Sequence, residues 1–349
     1  MPVIDVNGSD AEKLLAEYEH FVAHSPYGHM MQSVNWAKVK DNWSADYVYL
    51  RGDDGEIAAG MSIISISNDG GESAFLYAPR GPVCDFRDLG LVERLVEEAT
   101  PVVEKRHGFV LRIDPEMAYT APELPERIRA VPWNDGAFVL RTMEETDAHA
   151  FSQPPMNMVA DLVGKDADTV LETYPSKTRG KIRKPFKSGI STSSVTVADT
   201  DFSAALDAFY ELTGVMAERQ GITHRPREYF ERLLYAFPGA RLYITKHESG
   251  EVLASSIVVN YNRKAFYMYA ASSNEMRNLR PNDQMNFVAI QDAIRSGMNE
   301  YDMGGIFMAD DADGLYSFKK QFCGAEGLRS MVGELDLIFD AAKYREFVS

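Results

Sequence analysis

Residues 241–270 read RLYITKHESGEVLASSIVVNYNRKAFYMYA. Three β-favouring runs stand in this stretch, around Arg241–Thr245, Glu251–Val259 and Ala265–Ala270, with Gly250 marking the first turn. β-Branched and aromatic side chains suit a pleated, half-buried surface, and glycine punctuates such runs. Two helical candidates, Phe202–Arg219 and Glu228–Phe237, come before them. A third, Met285–Ser296, follows with Asn282 or Asp283 available as its cap, and then a short strand, Tyr301–Ile306, carrying Gly304 and Gly305.

The first half repeats this order in outline. A helix over Ala11–His24 gathers Leu14, Leu15, Tyr18, Phe21 and Val22 on one side, the stripe expected of a helix at a domain edge. Strand signals follow around Tyr47–Leu50, Ile57–Ile64 and Ala74–Tyr77, then a helix over Asp88–Arg106 and a strand over Phe109–Ile113. The alternation predicts mixed α/β domains, two of them and related, rather than a sandwich. Gln153-Pro154-Pro155 interrupts the periodic elements and marks the boundary. A last strand, Val332–Phe339, can pair back with the first domain. The long helices lack the sustained apolar heptads of a protruding coiled coil.

Composition bounds the function without naming it. The 349 residues are 45% hydrophobic and 25% charged, enough for ordered structure throughout. Formal net charge is -16, which argues against a protein that coats nucleic acid indiscriminately but leaves room for one basic site. The start of the chain has no charged and apolar export pattern, and no apolar run of about twenty residues occurs. A cytoplasmic protein without membrane insertion is expected. Cys84 and Cys323 are too few for a disulfide framework and lack zinc-ligand spacing, so they read as ordinary thiols.

The densest charge lies in SKTRGKIRKPFK, Ser176–Lys187, where Lys177, Arg179, Lys181, Arg183, Lys184 and Lys187 occur without an acidic residue. Such a patch suits RNA phosphates; an exposed solubilising turn and a membrane or protein contact are the other readings. It is not a P-loop, and Gly304-Gly305 reads as a tight strand exit. Arg225 and Tyr229 share one helix face if that helix begins after His224, joining a guanidinium fork to a phenol; the plainer reading is a capping arginine beside a partly buried tyrosine. Period two puts Tyr267 and Tyr269 on one side of their strand, lining a cleft or the core. Lys38 and Lys40 flank an anchoring Trp36, as phosphate contacts or solvated lysines. Asp310, Asp311 and Asp313 precede Phe318, Lys319 and Lys320, an arrangement that orients a charged ligand or closes as a salt-bridged loop. Asp114 stands at a strand mouth as a functional carboxylate or a turn-former.

Taken together, SPYGH followed by NWAKVK, then YAPRGPV, LRIDPE, YPSKTRGKIRK, MAERQGITHRPREYF, FYMYA, YDMGGI and YSFKK resemble the Fem family of bridge-forming aminoacyltransferases of peptidoglycan, in order and over nearly the whole chain. The resemblance implies two tandem acetyltransferase-like (GNAT-like) domains without the long coiled-coil insertion: 1–153 with 331–349, and 154–330. It implies a monomer without a cofactor that takes aminoacyl-tRNA as donor and UDP-MurNAc-pentapeptide as acceptor, with alanine the amino acid moved. Serine or glycine as donor, or a lipid-linked acceptor, would use the same chemistry. Carried onto this chain, Lys38 and Arg225 become diphosphate contacts, Tyr229 and Tyr269 shape that pocket, Phe318 binds substrate, and Lys319 engages aminoacyl-tRNA or stabilises transition-state charge. Asp114 orients the acceptor amine, and Lys181, Arg183 and Lys184 meet transfer RNA. The competing classes are an acyl-CoA-dependent N-acetyltransferase and a noncatalytic RNA-binding protein.

Overall fold

The computed structural model describes residues 2–117 and 123–349. It resolves into two compact units, one formed by the chain through Met156 together with Arg329–Ser349, the other by Asn157–Leu328. In the first unit, helices α1 (Ala11–His24) and α2 (Val34–Val39) lead into strands β1 (Ser44–Arg51), β2 (Ile57–Ile66) and β3 (Ala74–Ala78). Helix α3 (Leu89–Arg106), strand β4 (Gly108–Ile113), helix α4 (Glu123–Ala130) and strand β5 (Phe138–Arg141) follow.

Asp88 caps α3 by accepting from the Leu91 amide. The helix then buries Leu89, Val92, Leu95, Val96, Ala99, Val102 and Val103 along one face and runs through Pro101. A proline in a helix interior costs about 3 kcal/mol, whereas each buried valine or leucine contributes roughly 1.5–3 kcal/mol, so packing outweighs the break. The buried face joins a core with Met61, Ile63, Leu76, Leu111 and Trp133. Cys84 lies in that core as a free thiol, and burial pushes its pKa up to about 12.

The second unit carries β6 (Met156–Asp161), α5 (Val170–Thr173), α6 (Ser176–Phe186), β7 (Ile190–Val195), α7 (Phe202–Gln220) and α8 (Arg227–Ala236). It continues through β8 (Ala240–His247), β9 (Val252–Tyr261), β10 (Lys264–Ser272), α9 (Pro281–Arg295), β11 (Glu300–Ile306) and α10 (Gly314–Cys323) to the short β12 (Leu328–Ser330). The strands of residues 241–270 are the antiparallel meander β8-β9-β10, inside a sheet of order β12-β6-β11-β10-β9-β8-β7.

The chain then re-enters the first unit as β13 (Glu334–Ile338), followed by α11 (Ala341–Val348). β13 lies antiparallel between β4 and β5 and completes a sheet of order β1-β2-β3-β4-β13-β5. Gly333 admits the strand: its φ is +117°, and an added Cβ would stand 2.0 Å from the Arg141 carbonyl oxygen. A side chain there meets both an unfavourable backbone region and a backbone atom.

Two local expectations are corrected, and a segment whose conformation the sequence left open is decided. The basic Ser176–Lys187 segment is a helix, α6, because Thr178, Ile182 and Pro185 give it a buried face. Helix α9 begins at Pro281 with Arg280 as its N-cap, so Asn282 and Asp283 lie in the first turn; proline loses nothing at a position whose amide has no intrahelical partner. Helix α8 begins at Arg227, which leaves Arg225 outside it.

Candidate active site

β10 and β11 run parallel and pair at Lys264–Glu300, Ala265–Tyr301 and Phe266–Asp302. Beyond these pairs β10 shifts register against β9 between Tyr267 and Tyr269. In β11 the Gly304 amide donates to Asp302 Oδ1 at 2.7 Å, and Gly304 takes φ +77°. Helix α10 sends Lys319 to this place. Its Nζ donates to the Gly305 carbonyl oxygen at 2.7 Å, and a Cβ on Gly304 would lie 3.8 Å from both Lys319 Nζ and the Tyr267 carbonyl oxygen.

Lys319 is 7% exposed. Burial drives its pKa down to about 8, against the pull of the Asp302 carboxylate, which favours the charged form. Asp302 is itself 3% exposed and accepts from Asn157 Nδ2 at 3.2 Å. One Nζ–H of Lys319 is committed to Gly305, leaving two donors of a desolvated ammonium for a developing negative charge. Sequence reasoning found Lys319 but missed Asp302; a carboxylate two residues before Gly304-Gly305 was the available signal.

In the same unit, the structure brings Arg225, Tyr229 and Tyr269 together. The Tyr229 and Tyr269 hydroxyls are 2.9 Å apart, their rings meet edge to face at 5.9 Å, and the Arg225 guanidinium lies 5.4 Å from the Tyr229 ring centroid. Burial raises the Tyr269 phenol, opposed by its bond to Tyr229 and by the Arg225 charge. The contact is made from the turn before α8, not by helical spacing. Tyr267 and Tyr269 do not share a side: the register shift sends Tyr267 to Asn286 of α9, 3.3 Å away, and Tyr269 to α8.

Lys181 of α6 donates to Gln321 of α10 at 3.1 Å. Arg183 stands 3.7 Å from Glu172 with half its side chain exposed, and Lys184 is exposed. The acidic loop is spent on local structure, since Asp313 caps α10 through the Tyr316 amide and Asp311 pairs with Lys320 at 2.8 Å. Phe318 packs edge to face on Phe322, with 5.7 Å between centroids.

In the first unit Lys38 is exposed near the end of α2, and its Nζ donates to Asn35 Oδ1 at 2.8 Å. Buried contacts place that helix. Ser33 caps it and donates to the Glu19 carboxylate, while Gln32 Nε2 donates to the Ser62 and Pro79 carbonyl oxygens. Asp114 is 2% exposed and closed to solvent. Its carboxylate accepts from Tyr77 Oη at 2.7 Å and from the Arg80 amide. Burial pushes its pKa up to about 7, with the Arg80 charge opposing and Glu334 assisting. The geometry makes Asp114 the anchor of the turn at Arg80, whose φ is +55°, rather than an open carboxylate that orients a substrate.

Two mixed sheets, each crossed by helices, define a protein of two acetyltransferase-like units in tandem. An acetyltransferase (GNAT) domain model matches residues 176–320, and the FemAB family model matches residues 14–246. The chain belongs to the FemAB family. It is 39% identical over 353 aligned positions to a UDP-N-acetylmuramoylpentapeptide-lysine N(6)-alanyltransferase of Weissella viridescens, covering 100% of this chain and 99% of that one. A Lipid II:glycine glycyltransferase of Staphylococcus saprophyticus is 23% identical over 398 positions, 94% of this chain and 92% of the relative. That alignment is longer than this chain, so the staphylococcal protein carries residues absent here. Among solved structures, the crystal structure of FemX matches with a TM-score of 0.81 at 21% identity, over 96% of this chain and 98% of that one. A tandem GNAT protein from the clavulanic acid pathway matches with 0.52 at 13% identity, over 93% and 94%. Among the described residues no helix is long and apolar enough to cross a membrane.

Proposed function

We propose that this chain moves an alanyl group from aminoacyl-tRNA to the side-chain amine of the lysine in UDP-MurNAc-pentapeptide, in the cytoplasm. The observation that carries the reading is the end-to-end likeness to the Weissella alanyltransferase, in a chain whose second unit holds a desolvated ammonium between parting strands.

In the reaction, the acceptor nitrogen attacks the ester carbonyl, a C–N bond forms, and the C–O bond to the terminal ribose breaks. The amine proton ends on the departing ribose oxygen. No phosphoanhydride is consumed, because an ester yields an amide. The amine must be neutral, and bringing a lysine of ordinary pKa to that state near pH 7 costs about 4–5 kcal/mol. Positioning and a dry site offset that cost, and Lys319 supplies the donors for the oxyanion. Arg225 is assigned to a phosphate of the precursor, Tyr229 and Tyr269 to the shape of that pocket in the second unit, and Phe318 to the donor; Lys38 is assigned on its own to a precursor contact of the first unit. Lys181, Arg183 and Lys184 are assigned to RNA phosphates. Asp114 is given the turn and no proton-transfer step.

The decisive assay offers alanyl-, seryl- and glycyl-tRNA in parallel, each with the UDP-linked precursor, and reads product mass. Addition of one alanyl residue with release of uncharged tRNA is expected. Transfer of an acetyl group from acyl-CoA without tRNA would replace this reading with the N-acetyltransferase one. For the acceptor contacts, Arg225→Lys keeps the charge but loses the planar fork, and Lys38→Ala removes a cation. Each is expected to raise the precursor KM about tenfold with the aminoacyl-tRNA KM unchanged. An unchanged precursor KM in either folded variant would remove that residue from the precursor's contacts.

A further inference from the structure

The last rung between β10 and β11 pairs Phe266 with Asp302. Asp302 therefore stands where the two parallel strands begin to part, just before the Gly304-Gly305 exit. It is 3% exposed, a depth at which an ionised carboxylate needs partners. Two neutral donors serve it. The Gly304 amide reaches Oδ1 at 2.7 Å, and Asn157 Nδ2, from the neighbouring strand β6, reaches Oδ2 at 3.2 Å. Such bonds favour the ionised form without cancelling its charge.

The bond to Gly304 also sets the backbone. Gly304 sits at φ +77°, a region open to glycine at little cost, and the next carbonyl, that of Gly305, accepts from Lys319 Nζ at 2.7 Å. One carboxylate thus reaches Lys319 twice, through the turn that presents this carbonyl and through its charge. The titratable groups whose charge acts on Lys319 are Asp302, from β11, and Cys323, from α10 itself. Burial pushes the Cys323 thiol up, so it is neutral at and well above neutral pH, and Asp302 is the charge that remains. The acidic loop before α10 is engaged elsewhere: Asp310 accepts from the Ala312 amide, Asp313 caps the helix and Asp311 pairs with Lys320.

We propose that Asp302 is the positioning residue of this site: its carboxylate fixes the carbonyl that Lys319 binds and supplies the counter-charge of the Lys319 ammonium. The inference rests on the reading of Lys319 as donor to the oxyanion. Transfer then needs a charged Lys319 and a neutral acceptor amine at once. Its rate rises with pH until Lys319 gives up its proton, at about 8, and there it levels. Removing an anion that favours the ammonium lowers that point.

The test measures kcat against pH for the full chain with alanyl-tRNA and UDP-MurNAc-pentapeptide, both saturating, corrected for uncatalysed ester hydrolysis. Asp302→Asn removes the charge and keeps an oxygen for the Gly304 amide. The Asn157 amide, whose Oδ1 has no hydrogen-bond partner among the described residues, can turn over to accept from the introduced nitrogen. The variant is expected to level about one pH unit lower, so that its rate at about pH 6 is nearly unchanged while its plateau is about tenfold lower. A purely structural role would lower the rate by one factor at every pH. Asp302→Glu keeps the charge and should level near pH 8 whatever its rate, which carries the test if Asp302→Asn does not fold. In a Lys319→Arg chain, whose cation does not titrate in this range, Asp302→Asn should leave the shape of the profile alone. A levelling point that stays near pH 8 in Asp302→Asn, or falls equally in Asp302→Glu, overturns the positioning role and spares the reading of Lys319. A wild-type profile that climbs steadily past pH 9 defeats that reading and this one with it.

Discussion

Lys319→Ala is expected to lower kcat for alanyl transfer by about 10²–10³-fold, the usual loss when one donor to a developing oxyanion is removed, with the precursor KM little changed. The pH profile separates this role from a structural one. Below pH 8 the rate should rise as the acceptor amine loses its proton. The pKa of Lys319 is driven down to about 8 by burial, so above that pH each gain in neutral amine is matched by a loss of charged Lys319, and the profile flattens. Lys319→Arg keeps a cation that does not titrate in this range. Its residual rate should therefore continue to climb beyond pH 8, once corrected for uncatalysed ester hydrolysis. A plateau at the same pH in Lys319→Arg would sink the assignment.

Linkage gives a second readout. The folded chain holds fewer protons on Lys319 than the unfolded chain between about pH 8 and the ordinary lysine value of 10.5. The contribution of this residue to stability therefore rises with pH through that window. Lys319→Met should abolish that slope.

Asp336→Ala should destabilise the first unit by about 3 kcal/mol, the lower end of the cost of breaking a buried ion pair, because Glu334 still stands 3.6 Å from Arg112 Nε. Asp336 on β13 accepts from Arg112 Nε at 2.6 Å and Nη2 at 2.8 Å, and from Tyr344 Oη at 2.8 Å. Arg112 is 5% exposed and Asp336 is fully buried. The guanidinium also lies 5.3 Å from the Phe75 ring centroid and 5.6 Å from that of Phe347. By contrast, Arg129 and Glu145 pair at 2.6 Å with 39% and 59% of their side chains exposed, and Arg129→Ala should cost no more than about 1 kcal/mol. Trp36, Trp43 and Trp133 all lie in the first unit, so tryptophan fluorescence during urea unfolding follows that unit alone. An Asp336→Ala loss no larger than that of Arg129→Ala would refute the prediction. Replacing both partners, Arg112→Met with Asp336→Leu, should recover part of the loss, since Glu334 and Arg141 then remain as a pair.

Some of this architecture was legible from local patterning. The strands of 241–270, the apolar stripe of Ala11–His24 and the run at Val332–Phe339 are each set by the order of polar and apolar side chains along a few turns or pleats, and each is an element of the fold. Elements with weak patterns were not legible. The four residues of β5 and the Ser- and Thr-rich β7 hold their conformation through neighbours rather than through their own propensity.

Sequence alone determined the two-unit α/β plan, the family and the choice of Lys38, Arg225 and Lys319 as residues to test, because these follow from local periodicity and from motifs read in order; the buried carboxylates Asp302 and Asp336 were not among them. Tertiary structure decided what those residues face. The helix that carries Tyr229 starts at Arg227, yet Arg225 still reaches the Tyr229 ring from the preceding turn. One extra residue in β10 separates Tyr267 from Tyr269, and no count of residues along the chain shows where such a shift falls. Asp114 and Lys319 differ from ordinary surface charges because elements distant in sequence close over them. Desolvation is a property of the packed whole, and it raises the one pKa to about 7 and lowers the other to about 8.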